Sequence, residues 1–415
     1  LYHGRCMSAL MCAGNWMAKM SILLKRFLVL LLCLPLLSVW AQTSHSKGSK
    51  RPSLATGAAF SPDGRLWVAG LNVHGRLFVQ HTRFPGPVQW SDPQVLETGT
   101  DEIAADGENR PKIAFGPNGW GVITYTQPLP KPYTGNIRMM RSEDGGKTFG
   151  QPFTVHDDRQ IITHRFESVA FDGQGQLFTV WVDKRDQVKA PDKPYAGAAV
   201  YRKVSRDGGK TFDPDQKLAD HSCECCRIAL AQDARGRLFG LWRHVFPDQI
   251  RDHAFADLSA PANQHQRASF DEWRINACPH HGPGLSYAPP QAGSPEGFHM
   301  VWFGIRSGAP AVRYVRLSLQ GAPIEQTLRA LPDELAEHAD VMSSGQRVAI
   351  VWRSFANGVT SLQLWKSTDG GVSFERSALS RTTGFNDHPR LVQSDSRMAV
   401  VWRTQERIEV HEITP

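Results

Sequence analysis

One pattern recurs seven times along this chain and limits what it can fold into. It reads AAFSPDGRLWVAG, IAFGPNGWGVITY, VAFDGQGQLFTVW, ALAQDARGRLFGLW, SYAPPQAGSPEGFHMVW, DVMSSGQRVAIVW and LVQSDSRMAVVW. Each copy is a short apolar strand, a turn rich in Gly, Asp, Asn and Ser, and a second strand, which is the sequence form of a β-hairpin. The copies close on Gly70, Tyr125, Trp181, Trp242, Trp302, Trp352 and Trp402, spaced by 55, 56, 61, 60, 50 and 50 residues. Each interval holds two further strand-like runs, for example NIRMMRS and PFTVHD in the second. Four short strands per repeat describe a propeller blade. The expectation is an all-β fold: a single β-propeller of four-stranded antiparallel blades over residues 51–415, with seven blades and six as the alternative count. Separate β-sandwiches would need linkers, and no linker composition occurs. A turn or two of helix is expected at most, over 326–337. The large aromatics of the closing column are expected to pack between blades rather than form a sugar-stacking platform.

The N-terminal part reads differently. Lys19, Lys25 and Arg26 precede the apolar run FLVLLLCLPLL, and Ala41 stands before a polar stretch. A basic start, a short apolar segment and a small exit residue describe a secretory signal peptide. Residues 1–41 are therefore expected to be an over-extended start plus a leader, and 42–50 a polar segment able to supply a ring-closing strand. The apolar run is too short for a comfortable transmembrane helix. The expectation is a periplasmic or secreted monomer with no stable membrane anchor. The leader removes four of 47 basic residues and none of 40 acidic ones, so the formal charge falls from +7 to +3. That balance argues against nucleic acid as a partner. The leader also removes Cys6, Cys12 and Cys33, leaving Cys223, Cys225, Cys226 and Cys278.

Three intervals carry SEDGGKTF (142–149), SRDGGKTF (205–212) and STDGGVSF (367–374), the Asp-box pattern S-x-D-x-G-x-[ST]-[FW]. Its Asp caps backbone N–H groups across a tight turn, and its glycines take conformations closed to other residues. On these motifs, in register with the repeat, the chain resembles the sialidase-like Asp-box (BNR repeat) propellers over residues 51–415. That family includes exo-sialidases, other glycosidases and non-enzymatic binding proteins.

In a propeller, the first strand of each blade lines the central channel and begins at the face where ligands usually bind. Read down the repeats, those positions are Arg51, Arg110, Arg165, Arg227, His281, His338 and His388. Neighbouring positions add Glu167, Glu337, Asp340, Asp387 and Arg390, while Arg243, Arg353 and Arg403 follow the Trp column. Arginine forks match carboxylates, so Arg51, Arg110, Arg165, Arg227, Arg353 and Arg390 are the candidate ligand-binding residues for a small anionic or glycan ligand. The alternative is that these arginines bridge blades to Asp or Glu and seal the channel. The resemblance implies an arginine cluster on the substrate carboxylate, a Tyr nucleophile with a Glu partner, and an Asp as acid/base. By it, Tyr201, Glu167 and Asp340 become the catalytic candidates. The aromatic-Arg-Ile-Pro motif of sialidases is missing, since KRPSL surrounds Arg51 and NRPKI surrounds Arg110.

Repeats four and five open on HSCECCR (221–227) and CPHHGP (278–283). An exported protein with four cysteines is expected to form disulfides, such as Cys278 with Cys223, Cys225 or Cys226. Alternatively, Cys223, Cys225, Cys226 and Cys278 with His280, His281, His338 and His388 suit copper or zinc. In a third reading, Pro and Gly only shape the loop and the histidines satisfy backbone groups. The functional expectation is an exported propeller that binds, and in its enzymatic form hydrolyses as an exo-sialidase-like glycosidase, an acidic sugar at an Arg/His-lined pocket. The alternatives are a non-catalytic copper- or zinc-binding propeller and a protein-interaction scaffold.

Overall fold

The computed structural model describes residues 53–189, 197–291 and 295–414. The leader, the 42–50 segment and Arg51 lie outside the described residues. Within them, twenty-seven strands, β1–β27 in chain order, form seven antiparallel sheets. The blades are β1–β4 (57–95), β5–β8 (112–154), β9–β12 (164–222), β13–β16 (229–267), β17–β20 (284–330), β21–β24 (336–382) and β25–β27 (390–413). Inner strands β1, β5, β9, β13, β17, β21 and β25 neighbour one another in that order, and β25 returns to β1. The fold is a seven-bladed propeller.

Burial across a blade explains the sequence pattern. The second strands, such as β10 (Leu177–Asp183) and β14 (Leu238–Arg243), are buried throughout, because both faces meet neighbouring blades. They accordingly read as unbroken apolar runs rather than alternations. Exposure rises toward the rim, and β24 (Glu375–Thr382) is mostly exposed. Trp181, Trp242, Trp302, Trp352, Trp402 and Tyr125 are each at most 3% exposed, so the closing column is core. Several of these indoles donate to a carboxylate: Trp181 to Asp183, Trp302 to Asp271 and Trp352 to Asp333, at 2.7–2.9 Å. The helix expected over 326–337 is absent. Residues 323–330 continue the ladder as β20, because Arg313 and Tyr314 of β19 (Ala309–Ser318) offer it a pairing edge.

All three Asp-boxes connect the third and fourth strands of a blade. In the first, Asp144 accepts from Thr148 N at 2.9 Å and Thr148 Oγ1 at 2.6 Å, while Ser142 Oγ accepts from Gly146 N at 2.8 Å. The other two repeat this pattern at Asp207 and Asp369. The second glycine of each box has φ between 84° and 89° and lies against the preceding blade. A Cβ on Gly371 would sit 2.1 Å from the Tyr314 hydroxyl.

The seventh blade has three strands among the described residues. Its core closes onto the first, with Val392 and Val401 packed against Leu66 and Val68. Arg403 then clips the two blades, donating to Thr56 Oγ1 at 3.1 Å and Leu71 O at 2.7 Å.

Candidate functional site

The inner strands of all seven blades enclose a cavity of about 210 Å³ on the channel axis. Ile113, Leu230, Leu285, Val341 and Leu391 supply its apolar wall. Arg110, Lys112, Arg227, Arg390, Glu108 and Asp340 supply its charged end.

Glu108, in the loop before β5 (Lys112–Phe115), is the hub of that end. It is 3% exposed and accepts from Arg227 N at 3.1 Å, Arg227 Nη1 at 2.8 Å and Gly282 N at 2.9 Å. His338 Nδ1 and His388 Nδ1 lie 3.4 and 3.6 Å from the same carboxylate. One side chain of the second blade thereby ties down the fourth, fifth, sixth and seventh. Burial opposes its charge, yet Arg227 and the two imidazoles hold its carboxyl well below the usual range. The close approach requires small neighbours. A Cβ on Gly107 would sit 2.2 Å from the His388 ring, and one on Gly282 would sit 2.5 Å from Glu108 Oε2.

The column histidines form a stack. His281 lies on Phe303 at 4.5 Å and on His338 at 4.3 Å, and His338 lies on His388 at 3.4 Å with 13° between planes. Burial pushes all three pKa values down, that of His281 to about 3, so the rings are neutral at physiological pH. His280 is exposed.

The candidate arginines converge on the channel mouth, but most meet acids from other blades. Arg110 pairs with Asp387 at 2.9 Å and donates to Thr56 O at 2.8 Å. Arg227 reaches past Glu108 to Ala339 O at 2.7 Å. Arg353 pairs with Glu337 at 2.7 Å and contacts Asn386 at 3.3 Å. Arg243 is buried and donates to the carbonyls of Arg251, His281 and Phe303. Around the cavity, Arg110, Lys112, Arg227 and Arg390 face Glu108, Glu167, Asp340 and Asp387. Of the two readings of these arginines, most follow the second: they bridge blades to Asp and Glu, and the result is a charge-balanced ring.

Two of the candidate arginines are not locked in this way. Arg165 has a 4.0 Å contact to Asp106 and lies over the Phe166 ring. Arg390, beside the cavity, has Asp340 Oδ2 at 3.4 Å and no hydrogen-bond acceptor among the described residues. Burial pushes its guanidinium down to about 10, with Asp340 opposing the shift and Arg227 and Arg110 adding to it. Lys112, which sequence reading did not single out, lies at the same cavity with Glu167 Oε1 at 3.3 Å. Burial lowers its pKa against the pull of Glu167.

The catalytic candidates separate. Glu167 is fully buried and accepts from Thr126 Oγ1 at 3.0 Å besides pairing with Lys112. Asp340 faces Arg390 and accepts from Leu391 N at 3.0 Å. Tyr201 belongs to the third strand of its blade, β11 (Ala198–Ser205), where its hydroxyl donates to Asp186 at 2.8 Å and Arg185 covers its ring. Burial and that hydrogen bond raise its pKa. Among the described residues, Tyr201 and Glu167 share no hydrogen-bond or ion-pair partner. In β9 (His164–Phe171) and β21 (Ala336–Ser344), matching bulges set two residues opposite Trp181 and Trp352, with Phe166 and His338 at φ 55° and 52°. Such bulges re-aim side chains beside functional sites.

The cysteines form a group of their own. Cys223 Sγ lies 3.7 Å from Cys225 Sγ, which lies 3.8 Å from Cys226 Sγ, and all four thiols are unbonded. Hydrogen bonds from the Cys225, Cys226 and Cys278 thiols lower the Cys223 pKa. Among the described residues, the metal-ligating side chains thus fall into two clusters: Cys223, Cys225 and Cys278, and separately Glu108, His338 and His388.

No family model matches the chain, and no curated protein matches it. Solved structures do. A polysaccharide lyase, an ulvan lyase bound to -[GlcA(1-4)Rha3S]-, is 12% identical with a TM-score of 0.57, covering 88% of this chain and 93% of its own. An α-L-arabinofuranosidase from Fusarium graminearum is 12% identical with a TM-score of 0.50, covering 79% of this chain and 95% of its own. YCF48 bound to D1 peptide is 13% identical with a TM-score of 0.50, covering 88% and 93%. At these identities, the likeness is one of fold: this chain is a β-propeller of the architecture that carbohydrate-active enzymes and a peptide-binding protein also use.

Proposed function

We propose that the protein binds a small anionic ligand, a carboxylate-bearing monosaccharide such as a uronate, in the channel cavity. The observation that carries this reading is Arg390: a guanidinium beside the cavity with no hydrogen-bond acceptor among the described residues. Its side chain is 30% exposed and meets Asp340 Oδ2 at 3.4 Å, so guanidinium N–H groups beside the cavity remain open to a ligand. A carboxylate fits the guanidinium fork. Lys112 supplies a second cation, Asp340 and Glu167 hold the two cations in place, and the apolar wall receives the C–H face of a sugar ring. At about 210 Å³, the cavity is smaller than the roughly 300–1,000 Å³ clefts of drug-sized ligands, which favours one sugar unit over a chain. The glucuronate-containing saccharide bound by the ulvan lyase is consistent with this ligand class.

The reading is one of binding without turnover. Glycoside hydrolysis needs two carboxyl groups, or a tyrosine and its partner, flanking the scissile bond. Glu167 and Asp340 are each engaged by a cation and a hydrogen bond, and the Tyr201 hydroxyl is given to Asp186. Calorimetric titration with glucuronate, N-acetylneuraminate and glucose tests the proposal. Binding should be confined to the acids, and Arg390→Gln should weaken it about tenfold or more, as loss of a charged hydrogen bond does. Equal affinity in the variant would overturn the assignment, and release of aglycone from an acidic glycoside would overturn the absence of turnover.

A further inference from the structure

The two clusters of metal-ligating side chains are not equivalent. An imidazole lone pair lies in the plane of its ring, so one ion bound by two imidazoles must lie in both planes. His338 and His388 are stacked 3.4 Å apart and nearly parallel, so their planes offer no such point beside Glu108. The thiol cluster has no such conflict.

We propose that Cys223, Cys225 and Cys278 bind one thiophilic d10 ion, Cu(I) or Zn(II). The three sulfurs lie within 4.8 Å of one another, and Cys223 and Cys225 are 3.7 Å apart. With metal–sulfur bonds of about 2.3 Å, sulfurs on a shared tetrahedral or trigonal ion stand about 3.8–4.0 Å apart. A disulfide would need about 2.05 Å. Soft thiolates select these two ions over harder ones.

The site is assembled by the fold. Cys223 and Cys225 follow β12 (Gln216–Ser222), and the Cys223 N–H is fixed by Arg243 O of the next blade at 2.9 Å. Cys278 comes from the loop before β17 (Gly284–Ala288). Two adjacent inner-strand entrances therefore supply the ligands. Cys223 and Cys225 are buried while Cys278 is exposed, which gives the ion a dry base and a way in. Each metal–sulfur bond replaces an S–H, so binding releases protons and transfers no electrons, with copper entering as Cu(I).

The test is a competition titration of the full chain against chromogenic chelators under anaerobic conditions, with one arm for Cu(I) and one for Zn(II). One equivalent should bind in at least one arm, with proton release. Outer-shell substitutions cost about 10–100-fold in metal affinity, so removing a ligand in Cys225→Ser or Cys278→Ser should cost more than about 100-fold. His338→Ala and Cys226→Ser should retain binding. Cys278 is exposed, so its variant leaves the core intact, and unchanged glucuronate titration in that variant separates this site from the channel cavity. Substoichiometric uptake in both arms, a Cys223 or Cys225 disulfide in the exported protein, or retained binding in Cys278→Ser would overturn the proposal.

Discussion

Replacing Glu108 by Gln is the perturbation whose size follows most directly from the structure. The carboxylate is 3% exposed and takes two hydrogen bonds from Arg227 and one from Gly282. Glutamine keeps the shape and one carbonyl acceptor but strands the Arg227 charge, which is 7% exposed and, among the described residues, has Ala339 O as its one further side-chain partner. Breaking a buried ion pair by removing one partner costs about 3–5 kcal/mol. At roughly 2.1 cal/mol/K per residue, a propeller of this size has an unfolding entropy of about 0.8 kcal/mol/K, so the loss corresponds to a Tm lower by about 4–6 °C. Urea unfolding followed by tryptophan fluorescence reads the free energy directly. The double variant Glu108→Gln/Arg227→Met removes the stranded charge and should recover about 0.5–3 kcal/mol relative to additivity. A single-variant loss below about 1 kcal/mol, or strict additivity in the cycle, would refute the hub.

Three further outcomes follow from the same geometry. Burial keeps His281, His338 and His388 neutral in the fold, so the unfolded chain takes up protons first as pH falls below about 6.5. Their contribution is complete above that pH and lost below it, by up to about 2 kcal/mol per ring at pH 5; a Tm unchanged between pH 7 and pH 5 would contradict this. Gly371→Ala places a Cβ 2.1 Å from the Tyr314 hydroxyl at a φ of 88°, and should destabilise by more than about 1 kcal/mol in chemical unfolding. Tyr201→Phe removes the hydrogen bond to Asp186 and should cost about 1 kcal/mol of stability while leaving glucuronate affinity unchanged; a lost binding signal would place Tyr201 at the site after all.

How much of this was legible in the sequence depended on whether the governing contact was local. The hairpin repeats, the Asp-boxes and the buried column from Tyr125 to Trp402 are patterns within one blade, and each reads directly. Of the column of arginines and histidines, Arg110, Arg165, Arg227, His281, His338 and His388 stand at inner-strand entrances, and Arg51 lies outside the described residues. What the ring does was not legible, because its partners lie on other blades. Arg110 meets Asp387 across 277 positions, and Arg227 meets Glu108 across 119. Glu108 was overlooked although it stands two residues before a column arginine, a position whose meaning appears only when the loop crosses the channel. Lys112 was overlooked for a related reason, since whether a residue two positions after a column arginine faces the cavity is a matter of inner-strand register. The bulges at Phe166 and His338 leave no mark in the repeat, and they shift which side chains face inward. The separation of the thiols from the stacked imidazoles depends on ring orientation, which spacing does not encode.

The central claim is that Arg390 stands ready for an anion in the channel. A crystal structure of the protein with glucuronate tests it most directly. Ligand density is expected on the channel axis, with the carboxylate within hydrogen-bond distance of the Arg390 guanidinium and the Lys112 ammonium. Density confined to the outer surface, or a cavity holding only water while Arg390 donates to protein carbonyls, would contradict it.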